Sequence, residues 1–524
     1  MKFFTPFNSN PLPFHRFCPQ IPGFLHGPAG IPLGTIIAIY KPLEGWEKNP
    51  VTMSILLVYL NIDVPQDRRF SFGLGHVGSY LRSIGHEAHI CVASRHSDIE
   101  AIVQKVRHDS PILVGFSAVT DQFRYVEEFA STVKAANPNV TTVCGGIHPT
   151  LSPESLMDAP HIDFFIRGEG EQALADLLAC ITNGNNPTGI KNLVWRETRG
   201  IHINTLRPLV ADLDALPLPL REGFEDILDD GMYREAYFNF SRGCPFECTY
   251  CSNKALKALY PGKYVRFRSV EAALREIEGV LRRDSDINCL RFEDDVLTIN
   301  RKWLKEFLKR YRENFAIPFS CNVRVDCCPG DILQEMAESG CFLVSAGIES
   351  GDERIRFEIL KRRITDEQII GFFDRAHSLG LKTASFNMIG IPGENPASFG
   401  KTIDMNARIH PNIPWLCFFH PYPGTELWDY CKKNNLFKNE AVTFQERMGS
   451  VLDLPEFPPK LMNYWFRNFR YLILRKVSLK SALWFRVKQS IPEALKIPVR
   501  RTKGLISEGR KHHTSHRPLS CVAP

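Results

Sequence analysis

The sequence holds no apolar run long enough to cross a bilayer, and no convincing signal peptide opens it. Its first fifty residues are rich in Pro, Phe and Gly, and their one apolar stretch, Ile31 to Tyr40, is well short of the roughly 20 residues a spanning helix needs. No G-x-G-x-x-G follows the first strand-like segment, which removes the dinucleotide fingerprint. Four Cys/His ligands in paired spacing are also missing, so a closed zinc site is excluded. The 15 cysteines are scattered without even spacing, which argues against a disulfide framework and for a reducing cytoplasm. The remaining composition is ordinary: 44% hydrophobic and 23% charged residues in a chain of 524 describe a large globular protein of two or three domains.

One segment departs from that background. Ser241-Arg242-Gly243-Cys244-Pro245-Phe246-Glu247-Cys248-Thr249-Tyr250-Cys251-Ser252 places three thiols at C-x3-C-x2-C spacing. Three thiolates leave a four-iron cube one ligand short, so one iron stays open to a small molecule. A purely structural site gains nothing from that gap. The segment resembles the cysteine loop of the radical S-adenosylmethionine superfamily, whose three cysteines hold a 4Fe-4S cluster while the amino and carboxylate groups of S-adenosylmethionine take the open iron. The resemblance makes Cys244, Cys248 and Cys251 the metal ligands, and Tyr250 the aromatic residue usual between the last two.

From Ser54 to about Asn183, apolar runs alternate with helical segments such as Phe123 to Ala136. The runs are Ile55 to Leu60, Ala88 to Ala93, Ile112 to Ala118, Thr141 to Gly146 and Phe164 to Arg167. This alternation predicts a doubly wound parallel sheet that takes its ligand at the carboxyl ends of the strands. Glycine and small polar residues gather at those ends, in Gly115-Phe116-Ser117, Gly145-Gly146-Ile147-His148 and Arg167-Gly168-Glu169-Gly170-Glu171. The set resembles the cobalamin-binding domain that precedes many radical S-adenosylmethionine barrels. It implies that Gly115, Ser117, Gly145, Gly146, His148, Gly168 and Glu169 face the cofactor. The D-x-H-x-x-G motif that supplies a histidine to cobalt in one class is absent: His76 lacks the aspartate two residues earlier, and His148 lies on a different loop. Cobalt is therefore expected without a histidine lower ligand, and each histidine reads as a loop residue bonded to backbone.

A connector rich in Pro, Leu and Asp runs from Pro208 to Arg221, with Leu216-Pro217-Leu218-Pro219 as a stiff spacer. Beyond it, Tyr237 to Arg242 is expected as the strand that delivers the cysteine loop. Five further strands, Cys289 to Phe292, Phe319 to Val325, Leu343 to Gly347, Thr383 to Ile389 and Trp415 to Phe419, alternate with helices. Six repeats make the partial (β/α)6 barrel of the superfamily, with chemistry at the carboxyl ends. There stand Glu293-Asp294-Asp295, Asn322 and Arg324, Gly347-Ile348-Glu349-Ser350-Gly351, Gly390-Ile391-Pro392-Gly393-Glu394 and His420-Pro421-Tyr422-Pro423-Gly424-Thr425. The resemblance assigns Asp294 and Asp295 to the methionine ammonium and Arg324 to a carboxylate. It assigns Glu349 and Ser350 to the ribose or ammonium, and Gly390 and Gly393 to the adenine.

The domain layout follows: 1–52 a flexible extension or misassigned start, 53–207 the cobalamin-binding-like domain, 208–235 a linker, 236–440 the barrel, and 441–524 a basic helical region and tail. From Lys460 to Arg517 there are 15 Lys/Arg against 2 Glu, although the whole chain carries only +6. Interleaved aromatics suit a helical cap that packs its apolar stripe on the barrel. The alternatives are an amphipathic helix on an anionic membrane or lipid-linked substrate, and contact with nucleic acid. A recognisable RNA-binding module is missing, so nucleic acid is the least favoured, and residues after about Ser507 read as a loose tail.

The resemblance implies a reaction as well. A reduced cluster, fed by an external donor such as flavodoxin or ferredoxin, cleaves S-adenosylmethionine to a 5′-deoxyadenosyl radical that takes hydrogen from an unactivated carbon. Cobalamin then hands over a methyl group, which makes a C-methyltransferase acting on a small-molecule or lipid-type substrate. Ring closure or rearrangement with the same cofactors, or modification of RNA, is the alternative. A non-catalytic cobalamin or light-sensing protein is opposed by the intact cysteine loop.

Overall fold

The computed structural model describes residues 52–62, 70–224, 234–438 and 447–490. The expected N-terminal extension and the tail beyond Ser507 lie outside the described residues. The first domain runs β1 (Ser54–Leu60), α1 (Phe72–Ser83), β2 (Glu87–Ala93), α2 (Ile99–Asp109), β3 (Leu113–Ser117), α3 (Thr120–Ala136), β4 (Thr141–Gly145), α4 (Ile147–Leu151), β5 (Phe164–Ile166), α5 (Glu171–Thr182), β6 (Leu193–Glu197) and β7 (Gly200–Ile203). In β1, side chains alternate between two cores. Ile55 and Leu57 join Leu74, Leu81, Ala173 and Leu177 from α1 and α5. Leu56, Val58 and Leu60 join Ile102, Val106, Val126 and Phe129 from α2 and α3. A strand covered on both faces must be apolar throughout, which is why β1 was legible as SILLVYL.

The strand order is β2-β1-β3-β4-β5-β6-β7. Strands β1 to β5 pair in parallel, whereas β5–β6 and β6–β7 are antiparallel. The β6–β7 hairpin was not foreseen, since its alternation sits beyond the last strand–helix repeat. The order reverses between β1 and β3, the crevice position of doubly wound folds.

The second domain runs β8 (Glu235–Phe238), β9 (Ser241–Arg242), α6 (Ser252–Ala258), β10 (Arg266–Phe267), α7 (Val270–Arg283), β11 (Cys289–Phe292), α8 (Arg301–Asn314), β12 (Phe319–Val323), α9 (Gly330–Glu338), β13 (Cys341–Glu349), α10 (Asp366–Ser378), β14 (Lys382–Ile389), α11 (Pro396–Ile409), β15 (Ile413–Phe418) and α12 (Glu426–Lys433). Six strands, β8-β11-β12-β13-β14-β15, lie side by side in chain order and pair in parallel. Phe238, Phe240, Phe292, Phe307, Tyr311 and Phe319 fill the space under them, each worth about 1.5–3 kcal/mol when fully buried. Helix starts are capped by Ser269, Asn300, Thr365, Asn395 and Thr425, each accepting from a backbone N–H of the first turn.

The strand expected over Tyr237 to Arg242 is broken. The Asp294 carboxylate accepts the Phe240 N–H at 3.0 Å and the Ser241 hydroxyl, so the backbone leaves the sheet and β9 pairs antiparallel with β10 instead. At the far end, α13 (Pro459–Val477) lays Met462, Phe469 and Ile473 against Phe399, Phe418 and Leu427 of the barrel. The cap reading therefore describes α13. Helix α14 (Leu479–Ser490) packs on α13 and leaves Leu479, Leu483 and Val487 largely exposed. Among the described residues no helix is long and apolar enough to cross a membrane.

Candidate functional site

The cysteine loop leaves β9 and is stitched to the barrel rim on both sides. The Thr249 N–H donates to the Leu360 carbonyl at 3.2 Å and its hydroxyl to that of Ile359 at 2.6 Å, while the Leu427 N–H donates to the Thr249 carbonyl at 3.1 Å. Cys248 is buried, and Cys244 and Cys251 are half-buried, all three as free thiols. Burial pushes Cys244 up to about 11 and Cys251 up to about 12, so metal must displace their protons. Among the described residues no three His, Cys, Asp or Glu converge on a single ion. Three thiols in one short loop are the ligand set of a cluster in which each serves a different iron.

Arg324 follows β12 and reaches this loop. Its Nη1 lies 3.6 Å from Cys248 Sγ, and its plane sits over the Phe246 ring with Cζ 3.8 Å from the centroid. The cofactor carboxylate expected for it is matched instead by the chain's own Asp326, at 2.7 and 3.2 Å, which occupies Nε and Nη2. Arg362 was not foreseen. It is buried, donates to the Gly347 carbonyl at 2.7 Å, interacts electrostatically with Cys248, and keeps an Nε without a partner among the described residues. An orphaned buried N–H calls for an acceptor, which an anionic cluster or a bound carboxylate supplies.

Glu349 ends β13 at a register shift against β14, with φ of 68°. Burial pushes its carboxyl up, with Arg362 and then Tyr250 acting against that rise. The loop aromatic and the β13 acid therefore lie within electrostatic reach of each other. Asp295, exposed just after β11, accepts from Asn253 at 3.1 Å and is raised by desolvation. Asp294 is fully buried, where desolvation lifts it to about 7 and Oδ2 has no partner among the described residues. It holds the strand end. Ser350 is likewise interior: its Oγ accepts the Asp352 N–H and its carbonyl accepts from Arg356. Gly390 and Gly393 lie in the turn after β14, which Glu394 closes by accepting the Gly390 and Ile391 N–H groups at 2.7 and 3.3 Å.

The first-domain residues divide. Ser117 and Gly145 end β3 and β4 side by side, flanked by exposed Val119 and Ile147. Bare backbone between two exposed apolar side chains fits a broad flat ligand such as a corrin. Gly146 has φ of 105°, and a Cβ there would lie 2.7 Å from the Ala118 carbonyl, so its glycine is demanded by the turn itself.

Four expectations need correction. Gly115 is interior to β3, where an added Cβ would meet Leu57 at 3.0 Å, so its bareness serves packing. His148 stacks on Phe123 with centroids 4.1 Å apart, and its nitrogens face Thr120 and Ser155, which leaves none for a cofactor. The space beside Gly168 is taken by the Tyr260 hydroxyl from the barrel. Glu169 is consumed by Arg242 and Arg266, each at 2.9 Å, and by the Val210 N–H at 2.7 Å. Although burial pushes its carboxyl up, the two guanidiniums outweigh that and hold it below the usual range.

The carboxyl ends of the two sheets meet. Asp121, after β3, receives His420 at 3.3 Å and the Tyr422 hydroxyl at 3.4 Å from the turn after β15, and Gly424 lies against Leu151. His76, within α1, faces the connector, with Nδ1 3.2 Å from the Pro217 carbonyl.

Comparison with known proteins agrees with this arrangement. The profile of the Radical SAM superfamily matches residues 238–405, and that of the B12 binding domain matches residues 64–178. An uncharacterised methyltransferase of Pyrococcus horikoshii is 30% identical over 413 residues, covering 76% of this chain and 87% of its own. An anaerobic magnesium-protoporphyrin IX monomethyl ester cyclase of Rubrivivax gelatinosus is 25% identical over 422 residues, covering 78% and 74%. The solved structure of the cobalamin-dependent S-adenosylmethionine radical enzyme OxsB superposes with a TM-score of 0.67 at 15% identity, over 84% of this chain and 71% of that one. A cysteine loop at the rim of a six-stranded parallel barrel, facing the carboxyl ends of a B12-type sheet, places this chain in the cobalamin-dependent radical S-adenosylmethionine enzyme family.

Proposed function

We propose that the enzyme methylates an unactivated carbon of a small-molecule or lipid-type substrate held between the two domains. The observation that carries this reading is the meeting of the two sheets' carboxyl ends through Asp121, His420 and Tyr422, which sets the two cofactor regions against one space. When bound, the 4Fe-4S cluster with S-adenosylmethionine supplies a radical initiator, and cobalamin supplies a methyl carrier. Within that division, Cys244, Cys248 and Cys251 hold iron, Asp295, Glu349 and Tyr250 orient S-adenosylmethionine, and Ser117, Gly145 and Gly146 offer backbone to the corrin.

An external donor such as flavodoxin or ferredoxin supplies the electron. The exposed apolar stripe of α14 lies among basic residues such as Lys476 and Lys480, which favours a lipid-type substrate met at an anionic membrane surface. Methyl-labelled S-adenosylmethionine tests the reaction. Label on a product carbon, with both 5′-deoxyadenosine and S-adenosylhomocysteine, is the expected result. Product formed without label or S-adenosylhomocysteine establishes ring closure or rearrangement instead, the chemistry named for the Rubrivivax relative.

A further inference from the structure

We propose that Arg324 and Arg362 set the reduction potential of the iron–sulfur cluster, Arg324 through its contact with the sulfur of Cys248 and Arg362 as a second buried guanidinium beside the same loop. The proposal rests on Cys248 being a cluster ligand. Asp326 occupies the Nε and Nη2 of Arg324 at 2.7 and 3.2 Å, and the Phe246 ring supports its plane. The one remaining nitrogen, Nη1, therefore has a fixed direction, toward Cys248 Sγ at 3.6 Å. Arg362 approaches from the segment after β13, is anchored by the Gly347 carbonyl, and brings its charge into electrostatic reach of Cys248. All three residues are at most 7% exposed, so solvent does little to screen either charge.

The other two loop cysteines sit differently. Cys244 and Cys251 are half-buried and lie in the field of the Asp295 carboxylate, whereas Cys248 has Arg324 in contact and Arg362 nearby, each charge partly offset by a carboxylate, Asp326 or Glu349. Hydrogen bonds and cationic charge at a ligand sulfur stabilise the electron that the cluster gains, which raises its potential. A guanidinium stays charged at any working pH. The effect is a constant of the site, and it eases reduction by a donor of modest strength.

The experiment is a mediated potentiometric titration of the anaerobically reconstituted full-length protein, followed by electron paramagnetic resonance, with iron counted in the same samples. Arg324→Gln and Arg362→Gln are each expected to keep their iron and to become harder to reduce. The shift should be negative by about 59 mV or more, a tenfold change for a one-electron couple. Arg324→Lys and Arg362→Lys keep the charge but lose the fork, and a smaller negative shift is expected; they are read in place of any glutamine variant that takes up no iron. A wild-type potential in every iron-loaded variant overturns the proposal. Failure of all four variants to load iron also overturns it, since the arginines then only build the loop. Absence of iron from the wild-type protein would instead refute the cluster reading itself.

Discussion

Glu169 and Arg242 join the two domains directly behind the cysteine loop, with Oε1 accepting from Nη1 at 2.9 Å two residues before Cys244. Arg266 shares the same oxygen, and Glu171 takes the second Arg242 nitrogen at 2.6 Å. The residue that launches the cluster loop is thus gripped by the domain that carries the second cofactor.

That joint should be costly to break. Glu169→Gln leaves the buried Arg266 guanidinium without its anion and Arg242 with Glu171 alone, so about 3–5 kcal/mol of stability is expected to be lost. Denaturant midpoints of variant and wild type measure it. An unchanged midpoint would mean that the seam adds nothing to the fold.

Replacing Cys244, Cys248 or Cys251 by Ala should remove the cluster, taking iron from about four per chain to a small remainder and ending formation of 5′-deoxyadenosine. Iron analysis and product chromatography on the same preparations decide it. Full turnover by any one of the three variants would exclude that cysteine as a ligand.

Gly145 and Gly146 separate cofactor contact from fold. A Cβ at Gly145 has its nearest neighbour at 3.6 Å, the Ile166 carbonyl, whereas Gly146 is conformationally committed. Gly145→Leu should therefore lose bound cobalamin, read from the visible spectrum, while keeping its iron and melting temperature. Gly146→Ala should destabilise the domain by about 1–3 kcal/mol whether or not cobalamin is bound. Wild-type cobalamin content in Gly145→Leu would remove the β4 end from the corrin site.

How much of this was legible depended on whether the information was local. The cysteine spacing lies within eight residues, and each strand is apolar because its own two faces are covered, so both could be read directly. Arg362 could not be read. It stands in an irregular segment after β13, 114 positions from the cysteine it serves, and no spacing signals that approach. Gly168 misled for the converse reason: a small residue at a strand end looks the same whether a cofactor or the Tyr260 hydroxyl fills the space. Glu169 was an acid in a glycine-rich turn until Arg242 and Arg266, both more than 70 positions away, were placed beside it.

Glu394 should make stability fall as pH rises. Burial lifts its carboxyl to about 8 in the folded protein from an ordinary value of 4.5, so the folded state holds the proton more tightly than the unfolded one. The associated stability is fully present below about pH 4.5 and is lost as pH rises toward 8, by about 1.4 kcal/mol for each unit in that window. Glu394→Gln retains an oxygen for the Gly390 and Ile391 N–H groups without the titration. Its melting temperature is expected to depend less on pH between 5 and 8 than that of wild type, and parallel profiles would rule the carboxyl out as a source.

The helix that covers Phe399 and Phe418 begins only at Pro459, after every barrel strand has been made. At about 5–20 residues per second of synthesis, the finished sheet waits several seconds on the ribosome with that flank bare. A message cut short before Pro459 would therefore still encode both cofactor regions, yet its product would be lost to aggregation before its chemistry could be measured.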